Sequence, residues 1–227
     1  MLYLILAESE LETIPREISR HPVIAREAQS RKKPAELMLL DSSKHFAAMR
    51  GLKESERRGR PDIVQFCLLL ALDSVLNKKG LLKVFVHTRN DKVISIDPEA
   101  RLPRAFNRFC GLFEGLLEKG KIETPEGKVL LEAKEETLKA LLSQMPKNAN
   151  VFALDVGGQK MPRAELQKTF SQAGDVVLVV GGFPHGNFTD KSHALEGISR
   201  ISVADEELCA WTVFSILLSS FEAGALG

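Results

Sequence analysis

The chain has 227 residues, 44% of them hydrophobic, and its 31 basic and 30 acidic side chains leave a formal net charge of +1. A chain of that length and apolar content buries a core as one large domain or a domain with an insertion, which excludes disorder as the starting assumption. The near-zero charge excludes a uniformly basic nucleic-acid coat but leaves room for a local basic face. Cys67, Cys110 and Cys209 lie in apolar stretches without CxxC spacing, and are expected as buried thiols of a reducing compartment rather than disulfides or metal ligands. The opening MLYLILAESE has no basic n-region, and the longest apolar stretches elsewhere are interrupted by polar residues. The expectation is a soluble cytoplasmic protein with no membrane partner.

In chain order, Met1 to Ala7 and Leu37 to Leu40 are nearly continuous apolar runs, the pattern of buried parallel strands, with a basic connection between them. Pro61 suits a first helical turn, Asp62 complements the dipole there, and Ile63 to Leu76 reads as a buried helix closed by Lys78, Lys79 and Gly80. Leu82 to Thr88 and Lys92 to Ile96 flank Arg89-Asn90-Asp91 as a hairpin, and Pro103 to Lys119 follows as an amphipathic helix. Glu114 to Glu136 is acidic and glycine-punctuated, and predicts an irregular surface excursion before a helix to about Gln144. The last third alternates: strands at Val151 to Asp155, Asp175 to Val180 and Ile198 to Ser202, helices at Pro162 to Ala173 and Asp205 to Phe221. Such alternation predicts an α/β fold with a mainly parallel sheet.

Gly181, Gly182 and Gly186 in VVLVVGGFPHGNF follow a buried strand directly, at the carboxyl edge where open α/β sheets bind ligands. Neither GxGxxG nor GxxxxGK[ST] is present, which argues against dinucleotide or triphosphate binding. Two arginine-bearing segments stand apart from this turn. RRGRPDIVQF carries Arg57, Arg58, Arg60 and Asp62. In RLPRAFNRFCGLFEGLLEKG, a helical period places Arg101, Arg104 and Arg108 in one sector continued by Gly111, Gly115 and Lys119, opposite Leu102, Phe106, Phe109, Phe113 and Leu116. Such a face is either solvated or open to a phosphate backbone. Glycine inside an exposed helix costs about 1 kcal/mol, which favours close approach by a partner.

Taken together, FALDVGG, the glycine turn and GISRISVADEELCAW resemble the cofactor-binding half of SPOUT methyltransferases, while GRPDIV and R-x-P-R-x-x-x-R-F resemble their pseudouridine N1-methyltransferase branch. The resemblance implies an α/β-knot fold with a C-terminal trefoil knot and a small α+β insertion, as a single domain with an irregular excursion near 119–145. It implies S-adenosylmethionine as cofactor, held by Leu154, Gly181, Gly186, Ile198, Ser199, Arg200, Ile201, Ser202 and Val203. Arg60, Arg101, Arg104 and Arg108 would contact small-subunit ribosomal RNA, with Asp62 holding Arg60. A homodimer, and small-subunit ribosomal proteins or assembly factors as further partners, are also implied. Gln65 stands where the family commonly has histidine, and Asn187 where aspartate is common; the first alters packing or a polar contact, and the second removes a negative charge near the cofactor.

The implied reaction is methyl transfer to N1 of pseudouridine, the nitrogen that ordinary uridine lacks as a free N–H, with the protein mainly positioning a splayed-out base. No general base is evident: Asp62 is read as an orienting group and His185 is given no catalytic role. A non-catalytic RNA-binding assembly factor remains the alternative, and a nucleotide-binding protein unrelated to RNA is disfavoured by the missing phosphate motifs.

Overall fold

A computed structural model describes residues 1–191 and 193–226. Along the chain run β1 (Leu2–Ser9), α1 (Pro22–Arg31), α2 (Ser42–Met49), α3 (Pro61–Asp73), α4 (Val75–Lys78), β2 (Leu82–Thr88), β3 (Lys92–Ile96), α5 (Phe106–Lys119), β4 (Lys121–Glu123), β5 (Val129–Glu135), α6 (Leu138–Ser143), β6 (Asn150–Lys160), α7 (Arg163–Gln172), β7 (Val176–Gly181), β8 (Ser199–Ser202) and α8 (Ala210–Leu226). All eight strands join one sheet in the order β4-β5-β3-β2-β1-β7-β6-β8. The five from β2 to β8 pair in parallel and the remainder are antiparallel.

The apolar run at the start of the chain becomes β1, central between β2 and β7. Alternation along it serves two layers, because successive side chains of a strand point to opposite faces. Leu2, Leu4 and Leu6 pack with α3, α5, α7 and α8, whereas Ile5 and Ala7 pack with Leu138 and Leu141 of α6 on the other face. A third cluster, built on Ile14, Ile24, Met38, Leu40 and Met49, belongs to the α1–α2 segment.

Several expectations are corrected. Leu37 to Leu40 forms no strand of the sheet: Ala35–Leu37 is a 3-10 turn, and a single bridge joins Leu39 to Thr13. Its apolar run is explained by burial of Met38 and Leu40 in the α1–α2 cluster. The predicted Ile63–Leu76 helix breaks at Ser74, which adopts extended backbone (ψ 154°) and caps α4 by accepting from Asn77 N–H. The region near 119–145 is not irregular, since β4 and β5 extend the sheet beyond β3 and Leu131 reaches the main core. Its charged residues suit an edge, where they discourage pairing with another chain. The final helix starts at Ala210, not Asp205, so Cys209 precedes it and is exposed, unlike the buried Cys67 and Cys110.

Glu114 also departs from a surface role, being almost fully buried on α5. Its carboxylate accepts from Arg31 at 2.9 and 2.6 Å, from Lys33 at 2.9 Å and from Leu39 N–H at 3.1 Å, fastening the α1–α2 segment to the main body. Burial pushes this carboxyl up, but those donors outweigh burial and hold it below the usual glutamate range. A depressed carboxyl contributes stability above its unfolded value, about 4.3, and loses that contribution as pH falls through the lower folded value. Glu114→Gln is therefore expected to cost about 2 kcal/mol at pH 7, the range for hydrogen bonds to charged groups. In urea unfolding, the gap between wild type and variant should narrow as the pH is lowered below about 4; a gap independent of pH would contradict this account.

Candidate functional site

The carboxyl ends of β6, β7 and β8 meet around a cleft of about 220 Å³. Leu154, Gly181, Gly186, Ile201, Ser202 and Val203, six of the nine residues singled out from the sequence, line it. The other three do not. Ile198 packs into the opposite core layer, and Ser199 and Arg200 are exposed, with Arg200 paired to Asp155. Residues 155–158 bulge as an arch over β8, whose pairing with β6 skips from Leu154 to Gln159 against the same Ile201. A Cβ on Gly158 would lie 2.7 Å from the carbonyl carbon of Arg200, so the arch passes this close only because the residue is glycine.

The glycine turn is drawn against β1 in the same manner. Gly182 N–H donates to Ala7 C=O at 2.7 Å, and a Cβ there would fall 2.7 Å from the Ser9 Cα and 2.2 Å from its Oγ. Apolar walls from Leu154, Val180, Ile201 and Leu208, with Asp155, Glu206 and Glu207 on the lining, give the cleft a flat-base affinity and a negative rim. That lining fits an adenosyl group carrying a positive sulfonium and ammonium. Among the described residues it carries no Lys, Arg or His of the kind a polyphosphate requires.

Beneath the turn lies an ionic network at the end of β1. Arg57 donates from Nε to Glu10 (2.9 Å), from Nη2 to Glu8 (2.9 Å) and from Nη1 to the Asn187 carbonyl (2.8 Å). Arg58 is bidentate to Glu12 at 2.8 Å on both arms, and Arg89 bridges Glu10 and Glu54. Arg57 and Arg58 are therefore buried internal partners, not members of an exposed arginine face. Burial pushes the Glu10 carboxyl up more strongly than Arg89 and Arg57 pull it down. Glu8 has a left-handed backbone (φ 49°) at the register break between β1 and β2, and its carboxylate accepts from Thr189 and Asp190 N–H at 2.8 and 2.7 Å.

Arg60 emerges from this network half-buried at the start of α3, gripped by Asp62 through two bonds of 2.8 and 2.7 Å. The helical placement is corrected for Arg104: α5 begins at Phe106, so Arg108 is helical, Arg104 lies on the preceding loop, and Arg101, which precedes Pro103, lies outside the helix. All three are exposed. Gln65 fixes that loop, donating from Nε2 to the carbonyls of Pro103 (3.2 Å) and Arg104 (3.0 Å).

Residues 4–222 match the family model described as EMG1/NEP1 methyltransferase. The chain belongs to that family. It is 47% identical over 221 residues to the ribosomal RNA small subunit methyltransferase Nep1 of Pyrococcus furiosus, covering 97% of this chain and 96% of that protein. Identity to the Nep1 of Thermococcus kodakarensis is 46% over 227 residues and 100% of both chains. The crystal structure of Archaeoglobus fulgidus Nep1 bound to S-adenosylhomocysteine superposes with a TM-score of 0.87 at 36% identity, covering 99% of each chain. The mainly parallel α/β architecture of the SPOUT class expected from the sequence motifs is thus the fold of this protein.

Sequence reasoning missed several cleft residues, among them Phe183, Pro184, Phe188, Glu206, Glu207 and Leu208. Their signal was position: the first three interleave with the glycines already singled out, and the others sit between β8 and α8. Since the approach of Gly182 to Ser9 leaves no space for a methyl group, Gly182→Ala is expected to destabilise the fold by about 1–3 kcal/mol, the cost of overpacking. Thermal melting monitored by circular dichroism checks this, and a melting temperature equal to wild type would contradict it.

Proposed function

We propose that this chain transfers a methyl group from S-adenosylmethionine to small-subunit ribosomal RNA, at N1 of a pseudouridine, during assembly of the subunit. The observation that carries the reading is the cleft, apolar-walled and acid-rimmed at the ends of three parallel strands in a chain that matches its family over nearly its whole length. S-adenosylmethionine, when bound, supplies an electrophilic methyl group on a sulfonium.

The protein's own part is positioning. The apolar walls would shield a bound ligand from water, and Glu206 and Glu207 complement a cationic one, while Asp155 is paired to Arg200. Exposed Arg101, Arg104 and Arg108 offer charge to phosphates, and Arg60 offers a planar fork pre-oriented by Asp62. Both Asp62 oxygens accept from Arg60, which supports an orienting role for Asp62 over proton acceptance. Methylation would form an N–C bond at the acceptor nitrogen as the methyl–sulfur bond breaks to leave the neutral thioether S-adenosylhomocysteine, with the N1 proton passing to solvent; ordinary uridine, whose N1 is bonded to ribose, has no such proton to give up.

The chain acts as a homodimer in this reading. Phe66 and Leu70 are 49% and 41% exposed, one turn apart on α3, and the Phe66 ring lies 5.2 Å from that of Trp211 on α8. An apolar face of this kind marks an interaction surface. Light scattering at micromolar concentration should give twice the chain mass, reduced to a monomer by Leu70→Glu; a monomeric wild type would contradict the dimer.

Mass spectrometry of small-subunit RNA hairpins incubated with protein and S-adenosylmethionine tests the reaction. One methyl added to a pseudouridine hairpin and none to its uridine counterpart is expected. Methylation of both would overturn the N1 acceptor, and tight RNA binding without methylation would leave a non-catalytic assembly factor. Asp62→Ala should weaken RNA affinity roughly tenfold, the scale of one charge-assisted interaction, and lower turnover with it.

A further inference from the structure

We infer that Arg57 is a positioning residue that couples the cofactor cleft to Arg60, the arginine at the start of α3 proposed to contact RNA. The inference rests on the proposed function and extends it to a group that touches neither ligand. Arg57 is buried, and each edge of its guanidinium is spent: two on Glu8 and Glu10 of β1, one on the main-chain carbonyl of Asn187 in the cleft turn. Its flat face lies 3.8 Å above the centre of the Phe183 ring, which meets Phe188 edge-on at 5.4 Å. Phe183, Asn187 and Phe188 all line the cleft. One side chain thus holds the cleft turn by a stack and a hydrogen bond, and Glu8 completes the grip through Thr189 and Asp190 N–H.

On its other side, Arg57 stands three residues before Arg60, with no slack between. Gly59 has φ +68°, and a Cβ there would come 3.0 Å from Ser42 N and 3.1 Å from Leu40 Cγ. Gly59 C=O accepts from Ser42 N–H at 2.9 Å, and Arg60 N–H donates to Glu10 C=O at 3.0 Å. Glu10 therefore receives Arg57 through its side chain and Arg60 through its backbone. A ligand that settles Phe183 and Asn187 in one arrangement settles Arg57, and through Glu10 and Gly59 it settles Arg60. RNA then meets an Arg60 held in one orientation and binds more tightly, and by linkage RNA tightens cofactor binding by the same factor.

The test measures the affinity of a pseudouridine hairpin by fluorescence anisotropy, with and without saturating S-adenosylhomocysteine, and takes the ratio. For wild type a ratio of about tenfold is expected, within the ordinary range of coupling between two ligands. Arg57→Lys keeps the charge but loses the planar fork and the stack, and Phe183→Leu removes only the ring. Both ratios should fall below about twofold. Because Arg57→Lys disturbs buried carboxylates, Phe183→Leu, which leaves every ion pair in place, decides if the lysine variant melts early. A tenfold ratio retained in Phe183→Leu, or a wild type that binds both ligands without coupling, overturns the inference and leaves the proposed function standing. A wild type that binds neither ligand overturns both.

Discussion

Three carboxylates at the end of the central strand, Glu8, Glu10 and Glu12, are buried beside three guanidinium groups, Arg57, Arg58 and Arg89, and the functional end of the molecule is organised around them. Removing so many charges from water is expensive, and an ion pair of this kind rarely adds net stability over well-packed apolar side chains. What it adds is direction. Each guanidinium fork donates its hydrogen bonds only in its own plane, so the pairs fix the orientation of the segments that carry them. One such segment leads into Arg60 and α3. Another, held by Glu8, is the turn between β7 and β8.

The same strand end explains why glycine recurs where it does. β1 lies between β2 and β7, and the turn after β7 must fold back across Ser9 to place Phe183 and Asn187 beside the cleft. Gly182 makes that crossing possible, and Gly158 does the same for the arch over β8. These glycines are not there for flexibility; they let two backbones come closer than a Cβ would allow. The cleft consequently has walls of regular strands and a rim of turns, a rigid floor under adaptable edges.

The arginine face is assembled from parts with less regular structure. Arg101 and Arg104 lie on a loop that owes its shape to Gln65, a buried side chain on α3 reaching two carbonyls of that loop. Arg60 lies at the beginning of the same helix. One helix therefore sets both arginine groups, directly for Arg60 and through Gln65 for the loop. The same helix presents Phe66 and Leu70 outward, so the apolar surface and the arginines share a scaffold.

The sequence by itself determined the elements whose burial is periodic: the β2–β3 hairpin at Leu82–Thr88 and Lys92–Ile96, the buried strand before Gly181, and the family motifs around the cleft. Those signals are local, because a strand between two layers must be apolar wherever it runs. Only the tertiary structure decided which charges face water. RRGR reads as three cations of one kind, yet Arg57 and Arg58 turn inward to carboxylates more than forty residues earlier while Arg60 turns outward. Glu114 looked like part of an acidic surface until Arg31 and Lys33 closed over it. The β4–β5 edge was hidden in the same way, since one buried Leu131 among charged neighbours leaves little periodicity to read. Apolar burial is encoded in spacing along the chain, whereas the pairing of charges depends on which distant segments the fold brings within about 3 Å.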